Sequence, residues 1–261
     1  MPFPKSKRVL FQHNPLVEVV CQVRFPPVLQ IAAEDPVEFQ ERVRATYPLY
    51  RREEGTEIPA DFRQVVAQLR IPGLTDQHVH IFLTEDQKRY ISLSRESLAL
   101  TDKRYHRWEE FSGEMTAALA ALADVYKPAF FSRIGLRYKD VVNKKKLGLN
   151  GERWDSLVCK PLVGPLAESA VRDRIAGFSS NAVVKLDEVK GGFIHLRHGL
   201  MTDEKGKGES FLFDADFFTQ ERSEPKDVGP ILDTFNGMAG NYFRWAITPK
   251  LRTALKPKDL A

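Results

Sequence analysis

The chain has 261 residues, 43% of them hydrophobic and 17 of them Phe, which is enough apolar matter for one large core or two of ordinary size. Against 35 acidic residues stand 39 Lys and Arg, a formal charge of +4 that is too dilute to mark a dedicated nucleic-acid binder. The longest apolar stretch, Ala117 to Ala123, falls far short of the roughly 20 residues of a membrane helix, and no apolar segment follows the basic start at Lys5, Lys7 and Arg8, so no membrane partner, no secretory signal and a cytoplasmic location are expected.

Leu16 to Phe25 reads as a strand with Val17, Val19, Cys21 and Val23 on one face, stopped by Pro26-Pro27, which cannot donate to a ladder. A short helix follows, with Asp35 as N-cap, Pro36 at its first position, Phe39, Val43 and Tyr47 at helical spacing, and Pro48 as its end. Four strands are expected next, at Phe62 to Ile71, His78 to Leu83, Arg89 to Ser94 and Glu96 to Thr101, bounded by turn formers such as Pro72-Gly73 and Glu85-Asp86. Steps of three and four from Trp108 through Phe111, Met115, Leu119 and Leu122 to Tyr126 predict a long helix over Tyr105 to Tyr126, closed by Lys127-Pro128.

The second half repeats that order. Phe131 to Val142 reads as a strand and Glu152 to Val158 as a short helix; strands are expected at Val171 to Gly177, Ala182 to Asp187, Gly192 to His198 and Glu209 to Phe217. A helix over Asp227 to Ala246 puts Ile231, Phe235, Met238, Tyr242 and Trp245 on one face. Two segments also match at one spacing, 137 − 24 = 113: Cys21-Gln22-Val23-Arg24-Phe25 lies over Ile134-Gly135-Leu136-Arg137-Tyr138, and Glu96 to Leu100 over Glu209 to Phe213. The expected fold is therefore α+β: duplicated β-α-β4-α units, residues 1–128 and 129–261, forming a mainly antiparallel sheet with long helices on one side.

Asn14-Pro15-Leu16-Val17-Glu18-Val19-Val20-Cys21-Gln22-Val23-Arg24-Phe25-Pro26-Pro27, Tyr47-Pro48-Leu49-Tyr50 and Ile134-Gly135-Leu136-Arg137-Tyr138 resemble segments of a sporadically distributed prokaryotic family of about this length. That resemblance carries over no catalytic residues, and it breaks at Lys139-Asp140, where it implies a neutral pair. The repeated element order is also similar to that of the TATA-binding-protein-like fold, in which two halves join their sheets into a saddle; the analogy concerns fold and licenses no function.

Chemistry-bearing residues are sparse. Cys21 and Cys159 stand apart from any metal spacing and read as buried, reduced thiols. His78 and His80 share a strand face, whereas His195 and His198, three apart, point to opposite faces, so no set of three or four convergent zinc ligands forms. Asp214 and Asp216, with Glu209 upstream, could be a magnesium pair; flanked by Phe211, Phe213 and Phe217, they read instead as water-facing positions of a half-buried strand. Gly206-Lys207-Gly208 lacks a phosphate-loop spacing and reads as a hairpin tip, and no cofactor is expected. The duplicated Arg24 and Arg137 are the candidate ligand- or partner-binding residues, because a guanidinium grips carboxylate or phosphate bidentately; the plainer reading pairs each with a neighbouring acid. Basic clusters at Lys103, Arg104 and Arg107, at Lys144 to Lys146, and at Lys250, Arg252, Lys256 and Lys258 could follow a phosphate backbone. With no nucleophile, base and oxyanion set, the expected function is a non-enzymatic binding or scaffold role through protein contacts, as a homodimer or with another protein. A nucleic-acid-binding sheet face is the alternative, and a metal-dependent nuclease a distant one.

Overall fold

The computed structural model describes residues 2–55, 77–202 and 209–259. It is a mixed α+β fold with mainly antiparallel strand pairing, and it divides into two compact units. The first unit comprises Val20–Ile134 and Arg222–Val228; the second comprises Met1–Val19, Gly135–Glu221 and Gly229–Ala261.

After a short β1 (Val9–Phe11), β2 (Leu16–Arg24) buries Val19, Cys21 and Val23 of its expected face fully, while Val17 is exposed. Its residues from Val20 onward belong to the first unit, with α1 (Leu29–Ala33), α2 (Val37–Val43), β3 (Leu49–Gly55), β4 (Gln77–Leu83), β5 (Arg89–Ser94), β6 (Ser97–Asp102) and α3 (Trp108–Tyr126). The strands lie in the order β3-β4-β5-β6-β2, and β3 through β6 pair antiparallel with their neighbours. The core of this unit forms where Phe39 of α2 meets Phe82 of β4 at 5.3 Å between rings, and where Trp108, Phe111 and Met115 bury one stripe of α3. Lys127 ends α3 in the left-handed region at φ 47°, just before Pro128.

The second unit holds β7 (Arg133–Asn143) from Gly135 onward, α4 (Lys160–Val163), β8 (Ser179–Leu186), β9 (Gly192–Thr202), β10 (Glu209–Thr219), α5 (Val228–Ala246) from Gly229 onward, α6 (Pro249–Ala254) and β11 (Pro257–Asp259). Strand order is β7-β10-β9-β8, and β9 pairs antiparallel with β10 over eleven residues. Alternation on β10 buries Phe211, Phe213 and Phe217, and α5 answers with Phe243 against Phe213 at 5.8 Å and Phe235 against Phe217 at 6.1 Å. A two-stranded ribbon of β1 and β11 brings the two ends of the chain together.

Several expectations need correction. Asp35 is not the N-cap of α2: the helix starts one residue later than the spacing implied, Pro36 occupies the cap, and no side chain caps it. The unforeseen β3 carries Arg51, Arg52, Glu53 and Glu54, a run whose charge hides a strand period. Glu152 to Val158 shrinks to a 3-10 turn at Trp154–Ser156, and the strand expected at Val171 to Gly177 is another such turn at Arg172–Arg174. Three described strands, not four, therefore lie between the short and long helices of the second half. The strand at Phe62 to Ile71, the turn at Pro72-Gly73 and the hairpin tip at Gly206 to Gly208 lie outside the described residues.

Candidate functional site

Arg24 and Arg137 each have an acidic neighbour inside their own unit, but the two neighbours differ. Arg24 sits 3.6 Å from Glu96, both partly exposed. Arg137 grips Asp214 bidentately, Nε to Oδ1 and Nη2 to Oδ2 at 2.6 Å each. Arg197 of β9 approaches the same carboxylate at 3.1 Å, although its buried Nε is not aligned for a hydrogen bond, so the contact is chiefly coulombic. Donating to the Asp214 carboxylate holds the Arg137 guanidinium more firmly charged, against its partial burial. Asp214 is thus a clamped, buried carboxylate rather than the water-facing one expected from sequence. Glu209, the counterpart of Glu96 at the same spacing, pairs with Lys144 at 2.7 Å instead.

Two of the histidines, His80 and His198, are buried. His80 is buried between Tyr50 Oη at 2.9 Å and the Ile31 carbonyl at 3.0 Å. His198 stacks on Phe211 in the core, and burial lowers its pKa; His195, on the opposite face as expected, meets Asn181 at 2.6 Å. Cys21 is fully buried and burial drives its thiol pKa up; Cys159 is only half-buried, short of the full burial expected. Among the described residues, no three His, Cys, Asp or Glu side chains converge as a metal site.

Polar groups to which the sequence reading gave no functional role lie deep in the units. Asp140 occupies the core face of β7 in the series Leu136, Tyr138, Asp140, Val142, and burial pushes its carboxyl up to about 8. The nearby Tyr242 of α5 is 2% exposed, and its hydroxyl has no hydrogen-bond partner. Strict alternation from Leu136 would have placed Asp140 inward. In the first unit Arg89 donates to Asp102 at 2.9 Å and to Glu114, which also accepts from Tyr47. Burial works against the Arg89 charge, and the two carboxylates outweigh it. Arg89 and Asp102 line a groove of about 500 Å³ together with Thr46, Pro48, Asp86 and Arg104. Within the groove Arg104 pairs with Asp86 at 3.1 Å, and Glu85 and Lys88 add one charge of each sign to its lining.

Some members of the basic clusters are engaged, whereas Lys145, Lys146, Arg252, Lys256 and Lys258 are exposed. Lys144 is nearly buried, 4.3 Å above the Trp154 ring, while Arg107 pairs with Glu110 and Lys250 with Glu152.

The two outermost strands contrast sharply. β3, at the end of the first unit's order, carries four charges in seven residues, and Arg51 pairs with Glu53 at 2.8 Å. β8, at the end of the second unit's order, reads Ser-Ser-Asn-Ala-Val-Val-Lys-Leu with a single charge, and Val183 is 61% exposed. The amide of Leu200 donates to the Phe178 carbonyl at 2.8 Å, and Ser179 faces Gly199 in the register. Hydrogen-bonded pairs alternate in an antiparallel ladder, so even-numbered residues of β8 bond to β9 and the backbones of Ser179, Asn181, Val183 and Lys185 point outward. Among the described residues, no strand pairs with that outer side. No family model matches the chain, and no curated protein matches it.

Proposed function

We propose that this chain is a protein-binding module that receives an extended segment on the outer edge of β8. The observation that supports this reading most strongly is the contrast between the two outermost strands. An unpaired strand is a template for another chain, and proteins that must keep one unpaired blunt it with charge, proline or a bulge. β3 has such charges, whereas β8 has Lys185 alone. Four outward backbone positions supply the hydrogen bonds of strand addition, and the exposed side chains of Asn181, Val183 and Lys185 supply selectivity. The pairing of Arg137, Lys144, Arg104 and Arg107 with carboxylates makes a phosphate backbone the weaker ligand.

The matched segments around Arg24 and Arg137 support an origin of the two units by duplication, with partner contacts that diverged afterwards.

A photo-crosslinking amino acid in place of Lys185, activated in living cells, tests the binding reading. The expected result is a discrete protein adduct that disappears when Val183→Pro is added. Absence of any protein adduct at Lys185 would contradict it.

A further inference from the structure

Resting on the β8 reading, we infer that the segment received by β8 is the β8 strand of a second copy of this chain, paired antiparallel across a twofold axis. The argument begins with which positions can meet. In a symmetric antiparallel pair, the residue numbers of facing partners add to a constant, and outward residues must face outward residues. Here those are Ser179, Asn181, Val183 and Lys185. A twofold centred on Ala182 pairs Asn181 with Val183 and Ser179 with Lys185. A twofold centred on Val183 pairs Val183 with itself and Asn181 with Lys185.

Both registers keep the strand's one charge away from its own symmetry mate. Lys185 faces Ser179 or Asn181, each able to accept a hydrogen bond, so the like-charge opposition that destabilises cross-strand pairs is absent. β3 is less suited by the same examination: in the two registers centred on its charge run, Arg52 or Glu53, both exposed, would face its own symmetry mate.

The side chains agree with the backbone. Val183 lies on one face of the sheet with Asn181 and Lys185, all three exposed, and the symmetric pair places each Val183 beside or diagonal to its mate. An apolar residue 61% exposed in the middle of a strand with one open edge then gains cover at the centre of the joint. β8 itself is held to β9 along all eight residues, so the strand offered is preformed.

Light scattering coupled to size exclusion of the full chain, at tens of micromolar protein, reads the outcome. The wild type is expected to have twice the 29.8 kDa of one chain. Val183→Pro removes an outward amide and leaves the β9 ladder intact; Val183→Lys leaves the backbone unchanged and sets charge at the centre of the joint. Both are expected to run as single chains, with association weakened at least tenfold and with circular dichroism and melting like those of the wild type. A wild type of one-chain mass up to 100 micromolar would overturn the inference, as would folded variants that keep the doubled mass. If the purified chain is single but Lys185 crosslinks to a different protein in cells, the second copy is wrong and strand addition stands; no adduct of either kind removes both.

Discussion

The most consequential single residue outside β8 is Asp140. Its carboxyl titrates near 3.8 in an exposed setting and is pushed to about 8 by burial on the core face of β7. Between those values the folded chain holds a proton that the unfolded chain has released. Stability therefore falls as pH rises through this window, by up to ~1.4 kcal/mol per pH unit, and the loss is complete above the folded value. Asp140→Asn keeps the shape and never ionises. Melting temperatures at pH 5.5 and pH 8 should show the wild type losing more stability than the variant, so that the variant is the more stable protein at pH 8. Equal slopes would mean that Asp140 is charged and compensated in the folded chain. The arginines give a second lesson at this scale. Arg24 and Arg137 are equivalent in sequence context, yet one meets Glu96 at 3.6 Å and the other is locked to Asp214 at 2.6 Å, because β10 presents Asp214 beside a second guanidinium from β9. Nothing in the local pattern around either arginine announces which acid it will meet.

Among the elements, β8 depends on a close approach at its first residue. A Cβ on Gly199 of β9 would stand 2.1 Å from the Phe178 carbonyl oxygen and 2.8 Å from the Ser179 Cα, both backbone atoms that cannot swing aside. Gly199→Ala should therefore displace the start of β8 and cost about 1–3 kcal/mol in urea unfolding, with loss of amide protection concentrated at Ser180 and Ala182. Unchanged stability and protection would show that β8 sits farther from β9. Much of the element order was legible in the sequence. The long helices at Trp108–Tyr126 and Val228–Ala246 emerged because Phe111, Met115, Phe235 and Met238 recur at helical spacing, and β2, β5 and β10 because their apolar residues alternate. β3 was hidden because Arg51 to Glu54 leave no apolar period, and Val171 to Gly177 misled because Val171 and Ile175 mimic a strand across what is a 3-10 turn. The ribbon of β1 and β11 joins residues some 250 apart, beyond the reach of any local pattern.

For the whole molecule, the candidate site was half legible. Sequence reasoning anticipated contacts with a second copy or another protein, but it could not assign the strand that makes them. Which strand is outermost depends on sheet order, and β8 is outermost although β10 follows β9, and β9 follows β8, in the chain. Once the order is known, composition decides between the ends: β3 is guarded by charge, and β8 offers Asn181, Val183 and Lys185 to whatever lies beside it. No described helix is long and apolar enough to cross a membrane. The central claim, that the outer side of β8 is occupied by another strand, is tested most directly by hydrogen exchange at its own amides. Ser180, Ala182 and Val184 are bonded to β9 and should exchange slowly at any protein concentration, whereas Asn181, Val183 and Lys185 should become equally slow only when the edge is filled. The account predicts that these three amides are protected in the wild type at tens of micromolar and exchange freely in Val183→Lys. Free exchange at Asn181, Val183 and Lys185 in the wild type at every concentration, in purified protein and in cell extract alike, would contradict it.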